Sequence, residues 1–344
     1  MIDLESRVER EATPARPSTT GTTLRVLATL GVVSVVVCAV SVLVGANGLV
    51  PLSALLDSTS PEHGIAGARL ERTVLGLAVG AALGLAGACM QGLTRNPIAD
   101  PGILGINAGA AFAMVIAISW FGVSGLGNYP WFAFAGAAIA AVLVHLIASL
   151  GRDGATPMKL AITGAAITAA VTSWTSGILL IDRSTTASFR LWQVGTVGGR
   201  GFDTVLVGLP FLLVGALLAL TGARLLNTLA LGDDLARGLG RRTTLDRIVV
   251  GLAIVLLSGA ATALAGPIAF VGLIVPHAVR ALVGSDYAKV LPLSALVGAL
   301  LVVLSDTVGR VLLPPAEVQV GIMTAVVGVP FFLLLIRRGR MAGL

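Results

Sequence analysis

Long uninterrupted apolar runs dominate the chain and are separated by short segments rich in Gly, Pro or charge. A membrane-spanning helix needs about 20 consecutive apolar residues, whereas the strands of a membrane β-barrel alternate apolar and polar positions. The runs here are continuous, and in lipid such a run satisfies its backbone hydrogen bonds as a helix. We therefore predict an all-α membrane protein with ten spans, near residues 26–46, 73–93, 103–122, 131–150, 158–181, 204–223, 246–265, 268–283, 290–308 and 319–336.

The composition agrees with a membrane protein. Of the 344 residues, 56% are apolar and only 12% are charged, whereas soluble domains have about 45–50% apolar and about 25% charged residues. This excludes an ordinary soluble enzyme, a disordered protein and a nucleic-acid-binding module. Cys38 and Cys89 both lie inside apolar runs, so they offer neither a disulfide framework nor the spacing of a metal site.

The distribution of Arg and Lys predicts the orientation. With the N-terminus inside and ten spans, 17 of these cations lie on the inner side and 6 on the outer side. Positive charge collects on the cytoplasmic side, so both termini are predicted to be cytoplasmic, in a plasma membrane. The polar residues 1–23 are interpreted as a disordered tail, and residues 24–340 as a single transmembrane domain.

Two loops are long enough to fold. The outer loop contains Phe189 and Trp192, which suit a short interfacial helix over about 183–200. The inner loop, about 225–245, is the most charged stretch after the tail. Within it, Asp233 can cap a short helix that Gly240 ends. This helix is either a solvated connector or a docking element for a cytoplasmic partner.

A weak internal repeat relates two spans. Arg72-Thr-Val-Leu-Gly-Leu-Ala opens the second span, and Arg247-Ile-Val-Val-Gly-Leu-Ala opens the seventh. The two copies would enter the membrane from opposite sides, which is the inverted repeat found in many transporters. In a chain rich in Gly, Ala and Leu, chance is the competing explanation.

Two motifs interrupt the helical pattern. Arg95-Asn-Pro-Ile-Ala-Asp-Pro-Gly-Ile-Leu-Gly105 cannot continue a helix, so it is either a tight polar turn or a shaped loop that closes a pore. In Gly266-Pro-Ile-Ala-Phe-Val-Gly-Leu-Ile-Val-Pro-His-Ala-Val-Arg280, Pro267 suits a helix start and Pro276 frees a backbone carbonyl. We interpret His277 as a structural hydrogen-bonding group rather than a metal ligand, and predict no metal site.

These blocks, with Arg69-Leu-Glu-Arg72, Leu-Ala-Leu-Gly-Asp-Asp234 and Ser305-Asp306…Arg310, resemble the FecCD/BtuC-type permeases over about residues 25–340. Those proteins are the membrane subunits of ATP-binding-cassette (ABC) importers for iron-siderophores, haem and vitamin B12. The resemblance implies a BtuC-like fold of ten helices. It also implies a second permease subunit, identical or related, two cytoplasmic ATPases and an extracytoplasmic substrate-binding protein.

The chain has no G-x-x-x-x-G-K-[ST] phosphate loop, so ATP and Mg²⁺ are expected on the partner ATPase, with no cofactor in this chain. The resemblance implies that the inner loop docks into a groove of that ATPase. The docking residues implied are Leu229, Leu231, Gly232, Asp233, Asp234, Ala236, Arg237, Leu239 and Gly240.

The resemblance assigns Arg69, Arg72 and Arg310 to docking of the binding protein, whose glutamates they would meet. Charges at the rim of an interface mainly raise the association rate and fix orientation. The competing interpretation is local ion pairing: Glu71 is adjacent to Arg72, and Asp306 lies one helical turn before Arg310.

A cytoplasmic gate is implied at Asn96, Pro97 and Ile98 and at Thr156 and Pro157. The family usually has small hydroxyl residues at the second site, so Pro157 departs from its pattern. The pathway is implied along the fifth and tenth helices. Its candidate lining residues are Thr163, Gly164, Thr168, Gly321, Thr324 and Gly328.

The sequence therefore predicts a permease subunit rather than an enzyme, carrying a ferric siderophore, with vitamin B12 or haem as alternative cargo. The alternative class is an ion-coupled secondary transporter, which needs acidic residues or a sodium site inside the membrane. Apart from Asp246 at the first position of the seventh span, Asp306 is the only acid in a predicted span, and it lies near a helix end within reach of Arg310.

Overall fold

The fold is helical, and the computed structural model describes residues 19–46, 48–123, 129–151, 154–238 and 243–337. Thirteen α-helices occur in these ranges: α1 Thr19–Leu43, α2 His63–Thr94, α3 Ile106–Phe121, α4 Tyr129–Ala148, α5 Pro157–Ile181, α6 Arg183–Gln193, α7 Phe202–Thr221, α8 Ala223–Ala230, α9 Asp233–Gly238, α10 Thr243–Ala265, α11 Val271–Val283, α12 Tyr287–Leu312 and α13 Val320–Arg337. A two-residue hairpin pairs β1, Val44–Gly45, antiparallel to β2, Gly48–Leu49. Short 3-10 helices form at Leu52–Leu55 and Pro101–Leu104.

Ten of these helices correspond to the ten predicted spans. Six are long and apolar enough to cross a membrane: α2, α4, α5, α7, α10 and α12. The other four contain shorter apolar stretches: Ala28–Leu43, Ile106–Phe121, Val271–Val283 and Val320–Leu334. Most predicted boundaries fall within about four residues of the observed ones, but α2 begins ten residues before the predicted 73. The exact number of spans stays a prediction.

Helix α2 forms the centre of the subunit. Every residue from Ala82 to Thr94 is buried, and α12, α10 and α11 all pack against this helix. Helices α2 and α12 touch at backbone level, because a Cβ atom at Gly80 would collide with the carbonyl oxygen of Gly298. Without a hydrophobic force between helices in lipid, such close contacts between small residues drive association.

Helix α5 contrasts with α2. Within the subunit, only 11% of an apolar 18-residue stretch of α5 is buried, against 78% of the corresponding stretch of α2. Its small residues from Ala165 to Gly177 are mostly exposed. A large face of α5 is thus left uncovered by the chain itself.

The loop helices and the tail are only partly described. Residues 1–18 of the predicted tail lie outside the described residues, and Thr19 already belongs to α1. The outer loop contains α6, which ends at Gln193, and the inner loop contains α8 and α9. The proposed repeat and the division into a tail and one domain stay predictions.

Candidate functional site

Arg69 is held by backbone carbonyls of the β1–β2 hairpin. Its Nη1 donates to Leu43 O at 2.9 Å, and its Nη2 donates to Gly48 O at 3.1 Å. The guanidinium lies flat against Gly45, where any Cβ atom would collide with it. Arg69 is therefore buried, and backbone carbonyl oxygens rather than an acidic side chain hold its guanidinium in place.

Arg72, one turn further along α2, is held by two acids. Its Nε and Nη2 donate to Asp306 on α12 at 2.9 and 2.7 Å, and its Nη1 donates to Glu317 at 2.6 Å. The Asp306 side chain is 3% exposed, and that of Glu317 is 38% exposed. The partners of Arg72 are thus Asp306 and Glu317, and not the adjacent Glu71.

Arg310 is the most enclosed of the three arginines, at 2% exposure. Its Nη1 donates to Ser41 O at 2.9 Å, and its Nη2 donates to Ser41 Oγ at 2.8 Å and Thr307 Oγ1 at 3.0 Å. Its Nε lies 3.2 Å from Asp306 Oδ2, the pair expected one turn apart on a helix. Asp306 therefore serves as the counterion of two arginines at once.

The three predicted arginines share one cavity of about 300 Å³. Glu317 is the acid in its lining, and Gly45 and Gly199 form part of the wall. With Asp306 behind the wall, three positive charges face two negative charges. Counted over the described residues, the cavity, which we call the arginine cavity, thus keeps one uncompensated positive charge. A role in docking stays a prediction.

Arg200 is a buried cation that sequence reasoning did not single out. It is 5% exposed, and neither its Nε nor its Nη1 has a hydrogen-bond partner among the described residues. Burial lowers the pKa of its guanidinium to about 10. A lone Arg in a Gly-rich loop gives no sequence signal of its burial.

Asp182 joins α5 to α6 by capping the second helix. Its carboxylate accepts hydrogen bonds from the backbone N–H groups of Ser184 and Thr185 and from both hydroxyls. These bonds, led by those from Thr185, lower the pKa of Asp182. The predicted outer interfacial helix therefore starts at a well-formed N-cap.

The first predicted gate loop begins where α2 ends. Arg95 adopts the left-handed conformation and stops the helix, and the next residue, Asn96, accepts a hydrogen bond from Ile98 N–H at 3.1 Å. Asn96 and Ile98 are exposed, and Pro97 is half-buried. Further along, burial raises the pKa of Asp100 although Gly102 N–H donates to its carboxylate. The loop is thus shaped by its own side chains and presents Asn96 and Ile98 outward.

The second predicted gate segment forms the start of α5. Thr156 caps the helix by accepting from Lys159 N–H at 3.3 Å, and Pro157 occupies the first helical position. Pro at this position costs no hydrogen bond, because that N–H has no partner within the helix. Both residues are half-buried. The start of α5 therefore explains a proline at position 157 without any role in gating.

The predicted ATPase-docking segment is a helix pair broken at Gly232. This glycine has φ +102°, which other residues rarely adopt, and it turns α8 into α9. Leu229 and Ala236 are buried, whereas Leu231 and Leu235 are exposed large apolar side chains on either side of the break. Nothing is described of the side chains of Asp233, Asp234 and Arg237, and Leu239 and Gly240 lie outside the described residues.

The second motif forms the entry to α11. Gly266 has φ +77° and packs against the carbonyl of Trp192, and Pro267 packs against Gly195 before the helix begins. His277 is 8% exposed, with its ring 6.4 Å from that of Phe331. Among the described residues, no group of three His, Cys, Asp or Glu could hold a metal ion.

Several predicted pathway residues face the interior of the subunit instead of open space. Gly164 packs against the carbonyl of Ile103, and Gly328 packs against the ring of Phe270. Gly321 N–H donates to Gly195 O at 3.2 Å, and Thr324 is 1% exposed. Thr163 and Thr168 are half-buried. Glycine is needed at these positions because neighbouring backbone or rings leave no room for a side chain.

The fold and these loops define a class: a membrane-embedded helical transport subunit with shaped loops at its helix ends. The sequence matches the model of the FecCD transport family over residues 29–338. The chain belongs to this family of membrane permeases.

Its relatives are permease proteins. It is 43% identical over 271 residues to the probable siderophore transport system permease protein YfiZ of Bacillus subtilis (strain 168), covering 79% of this chain and 81% of the relative. It is 41% identical over 315 residues to the ferric enterobactin transport system permease protein FepD of Escherichia coli (strain K12), covering 90% and 94%.

A solved structure has the same fold. The inward-facing conformation of a metal-chelate type ABC transporter superposes with a TM-score of 0.80 at 28% identity, covering 93% of this chain and 99% of that chain. The predicted fold class is thereby confirmed.

Proposed function

We propose that this chain is the permease subunit of an ABC importer and forms the path of a ferric siderophore across the bacterial plasma membrane. The observation that carries the proposal is the match to named iron-chelate permeases over most of the chain. The ferric chelate is the cargo, and ATP and Mg²⁺ belong to the partner ATPase. Both termini lie in the cytoplasm in this proposal.

The energy of ATP hydrolysis reaches this subunit through the α8–α9 break. Leu231 and Leu235 expose apolar surface, which is costly in water unless a partner covers it. We propose that this surface docks into a groove of one of the two ATPase subunits. The pair of leucines supplies the apolar contact, and the positive φ of Gly232 fixes the angle between the helices.

The pathway lies along α5 and α13, between this subunit and a second permease subunit. The exposed face of α5 supports this, because it carries small side chains that a large chelate can slide past. We assign the lining to that face, namely Ile162, Ala166, Ala169, Ala170 and Ser173, with Thr163 and Thr168 at its edge. Gly164, Gly321, Thr324 and Gly328 then act in packing behind the lining.

The arginine cavity receives a carboxylate of the substrate-binding protein. Its one uncompensated positive charge matches one acidic side chain. Because Arg69 and Arg310 are buried and bonded to backbone and hydroxyl oxygens, the partner must reach into the cavity. On the opposite side, Asn96 and Ile98 close the pathway, with Thr156 and Pro157 as its second boundary.

The ion-coupled alternative is less well supported. Apart from Asp246 at the start of a predicted span, the only acid within the predicted spans is Asp306, which is 2% exposed and already neutralised by Arg72 and Arg310. A coupling ion would have to displace both guanidinium groups. Vitamin B12 and haem remain alternative cargo for the same machinery.

Uptake by a strain lacking this gene tests the proposal. Separate assays supply radiolabelled iron on citrate, on a hydroxamate and on a catecholate siderophore, and labelled haem and vitamin B12. We expect loss of one iron chelate, restored by the wild-type gene but not by Leu231→Asp with Leu235→Asp. Loss of only vitamin B12 or haem uptake would replace the cargo, and unchanged uptake of every substrate would contradict the assignment.

A pair of variants tests the docking cavity in the same strain. Ala68 is exposed at the cavity lining, so Ala68→Glu adds a carboxylate to the cavity and leaves every buried arginine unsubstituted. We expect Ala68→Glu to reduce uptake through charge repulsion, whereas the neutral Ala68→Gln of equal size retains most of it. Equal uptake by the two variants at equal membrane levels would contradict carboxylate docking.

A further inference from the structure

Four helices meet beside the first gate loop. The end of α2, the middle of α8, the last turn of α11 and the start of α12 pack together there. We call this group the four-helix junction. Its members are Gln91, Gly92, Leu226, Asn227, Arg280, Asp286 and Tyr287.

Gln91 compensates for the proline in α11. Pro276 has no N–H, so the carbonyl of Gly272 lacks its helical partner. Gln91 Nε2 donates to Gly272 O and to Leu273 O, both at 3.1 Å. Its Oε1 accepts from Arg280 Nη1 at 2.6 Å. At 2% exposure, the whole amide of Gln91 is thus committed to α11.

Asn227 ties α8 to the same place. Its Nδ2 donates to Asp286 Oδ1 at 2.8 Å, and its Oδ1 accepts from Tyr287 N–H at 2.9 Å. The bond from Asn227, with that from Ala288 N–H, lowers the pKa of Asp286. The guanidinium carbon of Arg280 lies 5.8 Å from the centre of the Tyr287 ring, so the contacts continue from α8 through α12 to α11.

Gly92 makes the junction close-packed. A Cβ atom there would lie 2.9 Å from both Leu226 Cδ2 and Tyr287 Oη, so α8 and α12 rest directly on the α2 backbone. The carbonyl of Gln91 accepts from Asn96 N–H at 3.2 Å. Gln91 therefore holds α11 with its side chain and the start of the gate loop with its backbone.

We infer that Gln91 is a positioning residue that links α8, and hence the ATPase-docking segment, to the Asn96–Ile98 gate loop and to α11. This inference rests on the proposed function. Displacement of α8 moves Tyr287 and Arg280 through packed contacts, and Gln91 passes that movement to the gate. The bond chain requires no partner atom outside this subunit.

The test measures coupling in the complete importer. Permease, ATPase and binding protein are reconstituted in liposomes, with ferric citrate and a ferric hydroxamate, each carrying radioactive iron, as probes. Gln91→Met keeps the length of the side chain but removes its amide. We expect ATP hydrolysed per iron imported to rise about 2- to 30-fold, while hydrolysis stimulated by the binding protein is retained.

Two further variants keep the result interpretable. Asn227→Ala cuts the link from the half-buried side of the junction, and it replaces Gln91→Met if that variant does not assemble. Thr262→Val is the control, because it removes a hydrogen bond of 3.0 Å to Asn107, between α10 and α3, away from the junction. We expect Asn227→Ala to raise the ratio and Thr262→Val to leave it unchanged.

The outcomes separate the two hypotheses. An unchanged ratio in Gln91→Met, or in Asn227→Ala where Gln91→Met does not assemble, would overturn the inference. An equal rise in Thr262→Val would also overturn it, since the effect would then follow from any lost interhelical bond. A wild-type complex whose ATP hydrolysis does not drive import would contradict the proposed function itself, and the inference would fall with it.

Discussion

Asp306 carries an unusual electrostatic role at the scale of single residues. Its carboxylate lies between the guanidinium groups of Arg72 and Arg310 and is almost completely buried. Breaking a buried ion pair by removing one partner is costly, because the remaining charge stays out of water. Glu317, the second partner of Arg72, lies at the surface, where ion pairs contribute little.

These two acids give a matched prediction. Asp306→Asn should destabilise the detergent-solubilised subunit by about 3–5 kcal/mol, since two arginines lose their common counterion. Glu317→Gln should cost less than about 1 kcal/mol. Thermal unfolding of the purified variants measures both. An Asp306→Asn protein as stable as wild type would contradict the proposed role of Asp306.

Helix contacts through glycine determine the architecture at the scale of elements. Gly80 on α2 and Gly298 on α12 bring two backbones into contact, and Gly84 repeats that contact one turn later against Ser294. These residues follow the small-residue spacing that favours close helix packing in lipid. The same helix offers a control at Gly67, where a Cβ atom would meet nothing within 4 Å.

Alanine substitutions at Gly80 and at Gly67 should therefore have different effects on stability. Gly80→Ala forces the helices apart and should cost about 1–3 kcal/mol. Gly67→Ala should be neutral or stabilise by up to about 1 kcal/mol, because alanine is the better helix former. The melting temperature of each purified variant reports the effect. Equal melting temperatures would mean that α2 and α12 do not need their close contact.

The sequence predicted elements better than it predicted sites. Continuous apolar runs define the spans well because lipid allows only helices there, but the first ten residues of α2 are too polar to be recognised. The family resemblance assigns Gly164 and Gly328 to the pathway, but small residues serve both a pathway wall and helix packing, and sequence alone does not separate the two uses. The Gln91–Arg280 bond joins residues 189 positions apart, a distance at which a single sequence carries no pairing signal.

At the scale of the whole molecule, the proposed function requires partner subunits. The exposed face of α5, the apolar pair at the α8–α9 break and the arginine cavity lie on separate parts of the surface. In the proposed function each of them meets a different partner: a second permease, an ATPase and a binding protein. The proposed pathway therefore functions only in an assembly driven by ATP.

The most direct test is transport by the reconstituted assembly. Liposomes that contain the permease and its ATPase are given the binding protein loaded with radiolabelled ferric chelate, with and without ATP, and with ionophores that collapse proton and sodium gradients. We expect import to require ATP and the binding protein and to continue when the ionophores are present. Import that proceeds without ATP and stops when the ionophores are added would contradict the account and identify an ion-coupled transporter.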